Sequence, residues 1–121
     1  FRGGKGVATA AGAMAALWPL LTVPVLAAAG TWILTVRIGR MVSLASIAAA
    51  VSLPVFTGLW LAWRGVAASE TTVNWTALAA PACLTVLVAA AVVLRHRANI
   101  GRIRAGTEPR IGHHRTDAAA G

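Results

Sequence analysis

Long runs of apolar residues, separated by short basic stretches, fill the chain from Val7 to Leu94. The runs lack the 3.6-residue alternation of a helix with one face in water, so they predict helices surrounded by lipid. Val7–Trp18 is short: at about 1.5 Å per residue it reaches about 18 Å, against a hydrocarbon core of about 30 Å. Within it, Ala8, Gly12 and Ala16 recur at four-residue spacing and offer a small-residue face for close helix contact. Pro19 and Pro24 bracket Leu20-Leu21-Thr22-Val23 and predict a break there. A second run extends from about Val25 to Val36 and ends at Arg37-Ile38-Gly39-Arg40. Met41–Trp63 is long enough to span, with a kink expected at Pro54. Arg64–Trp75, with Glu70 and Asn74, reads as a polar loop, and Thr76–Leu94 as a further span. Carried past Leu94, that last helix sets His96, Asn99 and Ile103 on one face, with Arg95 and Arg102 on another.

Charge decides whether Val7–Val36 crosses once or turns back. Cytoplasmic loops carry the excess of Lys and Arg. A single crossing would put Arg2 and Lys5 on the side opposite the arginines at 95, 97, 102, 104, 110 and 115. A turn at Pro19–Pro24 puts Arg2, Lys5, the Arg37/Arg40 loop and the tail on one side, leaving only the Arg64–Trp75 loop on the other. The second arrangement fits the rule better. The expectation is therefore an all-α integral membrane protein: a bundle of about four segments, one short and preceded by a glycine-rich loop, with a basic cytoplasmic C-terminal tail. Residues 1–112 form the membrane unit and 113–121 a disordered end. Composition agrees: 58% of the 121 residues are apolar, only three are acidic, and the net charge is +8.

This topology gathers the residues with chemical capacity on one face. In Phe1-Arg2-Gly3-Gly4-Lys5-Gly6-Val7-Ala8-Thr9, glycines let successive N–H groups turn toward one point, and a helix starting near Gly6 aims its unpaired N–H groups there too. Lys5 and Arg2 add full charges, which makes an anion pocket suited to phosphate. The stretch is not a Walker A loop, and a flexible basic loop before a membrane helix is the competing reading. His96 and Asn99 at the membrane edge can hold hydroxyls or phosphate oxygens, and the histidine can move a proton. The arginines around them also suit anionic lipid headgroups. A metal site is not expected, since His113 and His114 are adjacent rather than at helical ligand spacing. Cys83, the single cysteine, sits in an apolar run and can form no intrachain disulfide. Nucleic-acid binding is not expected either: the basic charge follows the membrane rule, and the five tryptophans lie mostly near span ends, as interface anchors.

The glycine-lysine stretch resembles the second signature motif, F-K-G-G-K-G-V-A-T, of bacterial acyl-phosphate:glycerol-3-phosphate acyltransferases (the PlsY family). Ser43-Leu44-Ala45-Ser46-Ile47 is similar to that family's S-L-x-S-I stretch. Arg95-His96-Arg97-Ala98-Asn99-Ile100-Gly101-Arg102, followed by Gly106-Thr107-Glu108, resembles its third motif, R-H-x-x-N-I-x-R with G-T-E. The resemblance runs from Phe1 to Gly112, in motif order. Two departures stand out. Arg2 replaces the commoner lysine, keeping the charge but changing its geometry. The family's first motif, S-G-N-x-G-A-T-N, is absent, so the chain looks like the C-terminal part of such an enzyme, lacking an N-terminal half and expected to be inactive alone.

The resemblance implies transfer of an acyl group from acyl phosphate to the 1-hydroxyl of glycerol 3-phosphate, giving lysophosphatidic acid and phosphate for phospholipid synthesis. It implies no cofactor and a multi-pass enzyme of the bacterial plasma membrane with its active site on the cytoplasmic face. On this reading Gly3, Gly4, Lys5, Gly6, Thr9 and Arg102 bind substrate phosphate, while Ser43, His96 and Asn99 orient glycerol 3-phosphate. The proton acceptor stays open between His96 and a substrate phosphate oxygen. Glu108 is expected to be structural, pairing with Arg102 or Arg104. Two other classes remain: a non-catalytic scaffold gripping anionic lipid, and part of a transporter for a phosphorylated solute.

Overall fold

The computed structural model describes residues 5–17, 19–67 and 75–112. They form α1 (Lys5–Ala15), α2 (Thr22–Gly39), α3 (Val42–Ala67), α4 (Trp75–Arg95) and α5 (Arg97–Arg104), with no strand among the described residues. The all-helical class expected from the apolar runs is found. Three stretches, Thr22–Gly39, Val42–Gly65 and Leu78–Arg95, are long and apolar enough to cross a membrane. The 11 residues of α1 reach only about 16 Å, too short to cross. Gly3, Gly4, Glu70, Asn74 and the end expected to be disordered, 113–121, lie outside the described residues.

The break between α1 and α2 falls where the prolines point, but its C-terminal edge differs. The second run was expected from about Val25; α2 begins at Thr22 and takes Pro24 into its first turn. An amide N–H has no intrahelical partner in that turn, so proline's missing one costs nothing. Thr22 Oγ1 donates to the Ala15 carbonyl at 2.8 Å and covers an otherwise unpaired end of α1. Leu21, 1% exposed, packs with Met14, Val25, Ala28 and Leu53, and this apolar knot folds α1 back against α2.

The Arg37–Arg40 loop is shorter than expected, because α2 continues to Gly39 and only Arg40 and Met41 separate it from α3. Arg40 adopts a left-handed conformation (φ 52°) and its N–H bonds the Val36 carbonyl at 2.9 Å, a helix stop usually supplied by glycine. Central in the bundle, α3 packs against both α2 and α4. It continues through Pro54, as α4 does through Pro81. Thr57 and Thr85 are fully buried, and each hydroxyl donates back to its own helix, Thr57 to Leu53 and Thr85 to Pro81 and Ala82. In apolar surroundings a buried hydroxyl must find such a partner. Leu26, Leu34, Leu59 and Leu87 face outward, as lipid contact requires.

The last span does not run on unbroken. His96 separates α4 from α5, with φ −95° and ψ 9°. Its N–H is shared between the carbonyls of Val92 (3.0 Å) and Val93 (3.1 Å), and its ring Nδ1 also meets the Val92 oxygen at 2.8 Å. Competition for that one carbonyl interrupts the regular helical ladder at His96. The Ile100 N–H still bonds the His96 carbonyl, so the three-residue relation of His96 to Asn99 survives the interruption.

Candidate functional site

The site is built by the way α5 ends. Gly106 takes φ 70°, its N–H bonds the Ile103 carbonyl at 3.1 Å, and the Thr107 N–H reaches the Arg102 carbonyl at 2.9 Å. This paired closure is a Schellman motif, whose left-handed position favours glycine. It reverses the chain and returns Glu108 to α5. The next residues are held as well: the Ile111 N–H donates to the Arg40 carbonyl at 2.7 Å. The left-handed Arg40 thus ends α2 and offers its carbonyl to the tail.

Glu108 arrives between three polar side chains. Arg102 Nε donates to its Oε2 at 2.8 Å, and Asn99 Nδ2 donates to its Oε1 at 3.2 Å. The second proton of Asn99 Nδ2 goes to Ser43 Oγ at 2.5 Å, tying α5 to the start of α3. The Glu108 side chain is 5% exposed and that of Arg102 48%. Burial pushes the Glu108 carboxyl up, but the hydrogen bonds from Ser43, Arg102 and Asn99, with the Arg102 charge, outweigh it. The carboxyl therefore titrates below its ordinary 4.5 and carries a full charge at neutral pH. Of the two arginines named from sequence as partners, Arg102 makes the pair. Among the described residues only its Nε is used, and half the side chain still faces outward.

His96 stands apart from this ring of bonds. A carbonyl can only accept, so the bond to Val92 puts a proton on Nδ1 and, in the neutral ring, a lone pair on Nε2. Ser46, the other serine of its stretch, is 7% exposed and accepts from Trp32 Nε1 at 3.3 Å. It is committed to the α2–α3 contact.

A cavity of about 430 Å³ opens beside the site, with Val7 and Ala8 of α1, Trp32 and Ile33 of α2, Val42 of α3 and Val92 of α4 around one end. That end adjoins Ser43 and the carbonyl that holds His96. The N-terminus of α1 therefore lies at the same end of the bundle as Ser43 and His96. The described part of α1 begins at Lys5, and its first residues, Gly6 among them, lie at this end. Thr9 is exposed one turn further on. Among the described residues no group of three His, Cys, Asp or Glu could hold a metal ion. The Schellman closure and the Arg40 carbonyl were not foreseen. The first had a signal, the lone glycine after a basic helix end; the second is a backbone contact with none.

A family model described as glycerol-3-phosphate acyltransferase matches residues 1–106. Proteins named glycerol-3-phosphate acyltransferase are similar along almost the whole chain. The one from Burkholderia thailandensis is 42% identical over 98% of this chain and 50% of its own length. That from Burkholderia lata is 43% identical over 100% and 50%, and that from Paraburkholderia phymatum 37% over 99% and 49%. The chain spans about half the length of these curated relatives. No solved structure matches it.

Proposed function

The chain belongs to the glycerol-3-phosphate acyltransferase family, and on that premise we propose that it forms part of a membrane enzyme that acylates glycerol 3-phosphate from acyl phosphate. The observation that carries this reading is the fixed Ser43–Asn99–Glu108–Arg102 network, whose Ser43 follows Val42 on the wall of an apolar cavity. Polar groups that grip a glycerol phosphate thereby sit next to a place for a fatty chain.

In the proposed reaction the glycerol hydroxyl oxygen bonds to the acyl carbonyl carbon, and the bond from that carbon to the phosphate oxygen breaks. Inorganic phosphate leaves, and the hydroxyl proton goes to a phosphate oxygen or to His96 Nε2. Acyl phosphate is already activated, so placement and charge neutralisation supply most of the acceleration. Lys5, the Gly3, Gly4 and Gly6 amides, Thr9 and the outward part of Arg102 hold phosphate. Ser43 and Asn99 orient the glycerol, and Glu108 is structural, holding Asn99 and Arg102 in place. No cofactor enters this scheme. The clustering of Arg37, Arg40 and the tail arginines supports a cytoplasmic site on the cell membrane. The 121 residues alone are expected to be inactive, because the family's first motif is not among them.

The test is labelled glycerol 3-phosphate given to the full-length chain in membranes with acyl phosphate. Lysophosphatidic acid is the expected product; its absence with every donor length overturns the reading. For the proton, His96→Gln that loses an inflection present in the wild-type pH–rate profile supports the histidine as base. An unchanged profile assigns the proton to phosphate.

A further inference from the structure

We propose that Met14 and Leu53 form the floor of the apolar cavity and set the length of acyl chain the enzyme accepts, an inference that rests on the acyltransferase reading above. The lining residues fall in order of depth on three helices. On α3 they run from Val42 at the site end to Leu53, eleven residues or about 16 Å deeper. On α1 they run from Val7 to Met14, and on α2, which runs the other way, from Ile33 to Val25. The deep ends meet. Met14, Val25 and Leu53 are 6%, 7% and 4% exposed and belong to one packed cluster with Leu21 behind them. The deep end of the cavity is therefore closed.

Its middle exists because the walls are small: Ala11 on α1, Ala28 on α2, and Ala49 and Ala50 on α3 leave the space that larger side chains would fill. The polar side-chain atoms on the lining, Trp32 Nε1 and Ser46 Oγ, bond one another, so the wall asks for an apolar occupant. Depth identifies it. One leaflet of a bilayer takes about half of a hydrocarbon core of about 30 Å, and a cavity of about 16 Å matches a single fatty chain. The other end, at Val42, adjoins Ser43, where the carbonyl end of the chain has to lie for transfer. A chain entering there is measured by the distance to Met14 and Leu53.

The experiment is a donor-length competition with the full-length chain in membranes, using acyl phosphates that differ by two carbons. Ala50→Leu, about 12 Å down, is expected to move preference toward shorter donors, and Leu53→Ala and Met14→Ala toward longer ones. Each shift is expected to be about tenfold or more in relative kcat/KM, the scale of a methylene gained or lost in an apolar pocket. Leu59→Ala, on the outward face of α3, is the control that leaves the profile alone. If Ala50→Leu and Leu53→Ala retain transfer with the wild-type profile, or lower the rate for all donors equally, the inference is overturned and the groove belongs to packing. Wild-type protein that gives no product with any donor overturns the acyltransferase reading itself, so the two failures are distinct.

Discussion

Exchanging the charge between Glu108 and Asn99 tests how the tail is held. In Glu108→Gln the amide oxygen can still accept from Arg102 Nε, but its NH₂ then faces the Asn99 NH₂, donor against donor. An Asn99 flip relieves this by turning its oxygen to the new amide, and the Ser43 hydroxyl can donate to that oxygen instead. The hydrogen bonds survive without charge, falling from about 1.5–3 to about 0.5–1.5 kcal/mol each. For the bonds from Asn99 and Arg102 alone, the loss is about 2 kcal/mol, roughly 30-fold in the docking equilibrium. Asn99→Asp is worse, because two carboxylates meet where 3.2 Å now separates donor from acceptor. Repulsion of roughly 4 kcal/mol follows at an effective dielectric constant of about 20. The double variant Asn99→Asp/Glu108→Gln restores complementarity: the new amide donates to Asp and accepts from Arg102, and Ser43 donates to Asp. Trypsin cutting after Arg104 and Arg110 in the membrane-embedded chain reads tail release. The double variant should be cut more slowly than Asn99→Asp and no faster than Glu108→Gln. Its activity should stay low, since the neutral Asn99 proposed to orient glycerol 3-phosphate is replaced by a carboxylate that repels the substrate's phosphate. Cutting of the double variant at the summed effect of both single changes would refute the ring of bonds.

Gly106→Ala meets no atom within 4 Å, so its cost comes from the left-handed backbone alone, about 1–2 kcal/mol; thermal release of the tail at a lower temperature, with Gly101→Ala unaffected, checks this. The pH dependence follows from Glu108. Its folded pKa lies below the ordinary 4.5, so its contribution to docking is complete above that value and is lost as pH falls through the lowered one. Wild-type tail protection, read by hydrogen exchange, should therefore fall below pH 4.5, and Glu108→Gln should lack that step. Ser43→Ala leaves Asn99 bonded to Glu108 and should cost about 1 kcal/mol of stability, while kcat/KM for glycerol 3-phosphate falls much further; equal small effects on both would remove Ser43 from the site.

Much of the architecture was legible because lipid imposes a simple grammar. The apolar runs gave α3 and α4, although α3 continues four residues past Trp63 into the stretch read as a loop, and Pro19 with Pro24 marked the α1–α2 turn. The errors sit where a local hydrogen bond outweighs the apolar pattern. Arg40 ends α2 in a left-handed state that a long cationic residue does not announce. His96 interrupts the helix between α4 and α5 through the Val92 carbonyl, which apolar counting cannot foresee. In the candidate site, Ser43, Asn99, Arg102 and Glu108 stood out by residue type, and the structure brings them together. That Ser43 and Asn99 meet across 56 positions, while Ser46 turns to Trp32, depends on how α2 and α5 pack on α3. No spacing in the chain encodes that packing.

The most direct test of the central proposal is acyl transfer by the full-length chain against Lys5→Ala in the same membranes, with acyl phosphate and labelled glycerol 3-phosphate. Lysophosphatidic acid from wild type, with product lost in a Lys5→Ala protein that accumulates normally, is the predicted result. Equal product from both would remove the glycine-lysine stretch from the site, and no product from either would contradict the proposed reaction.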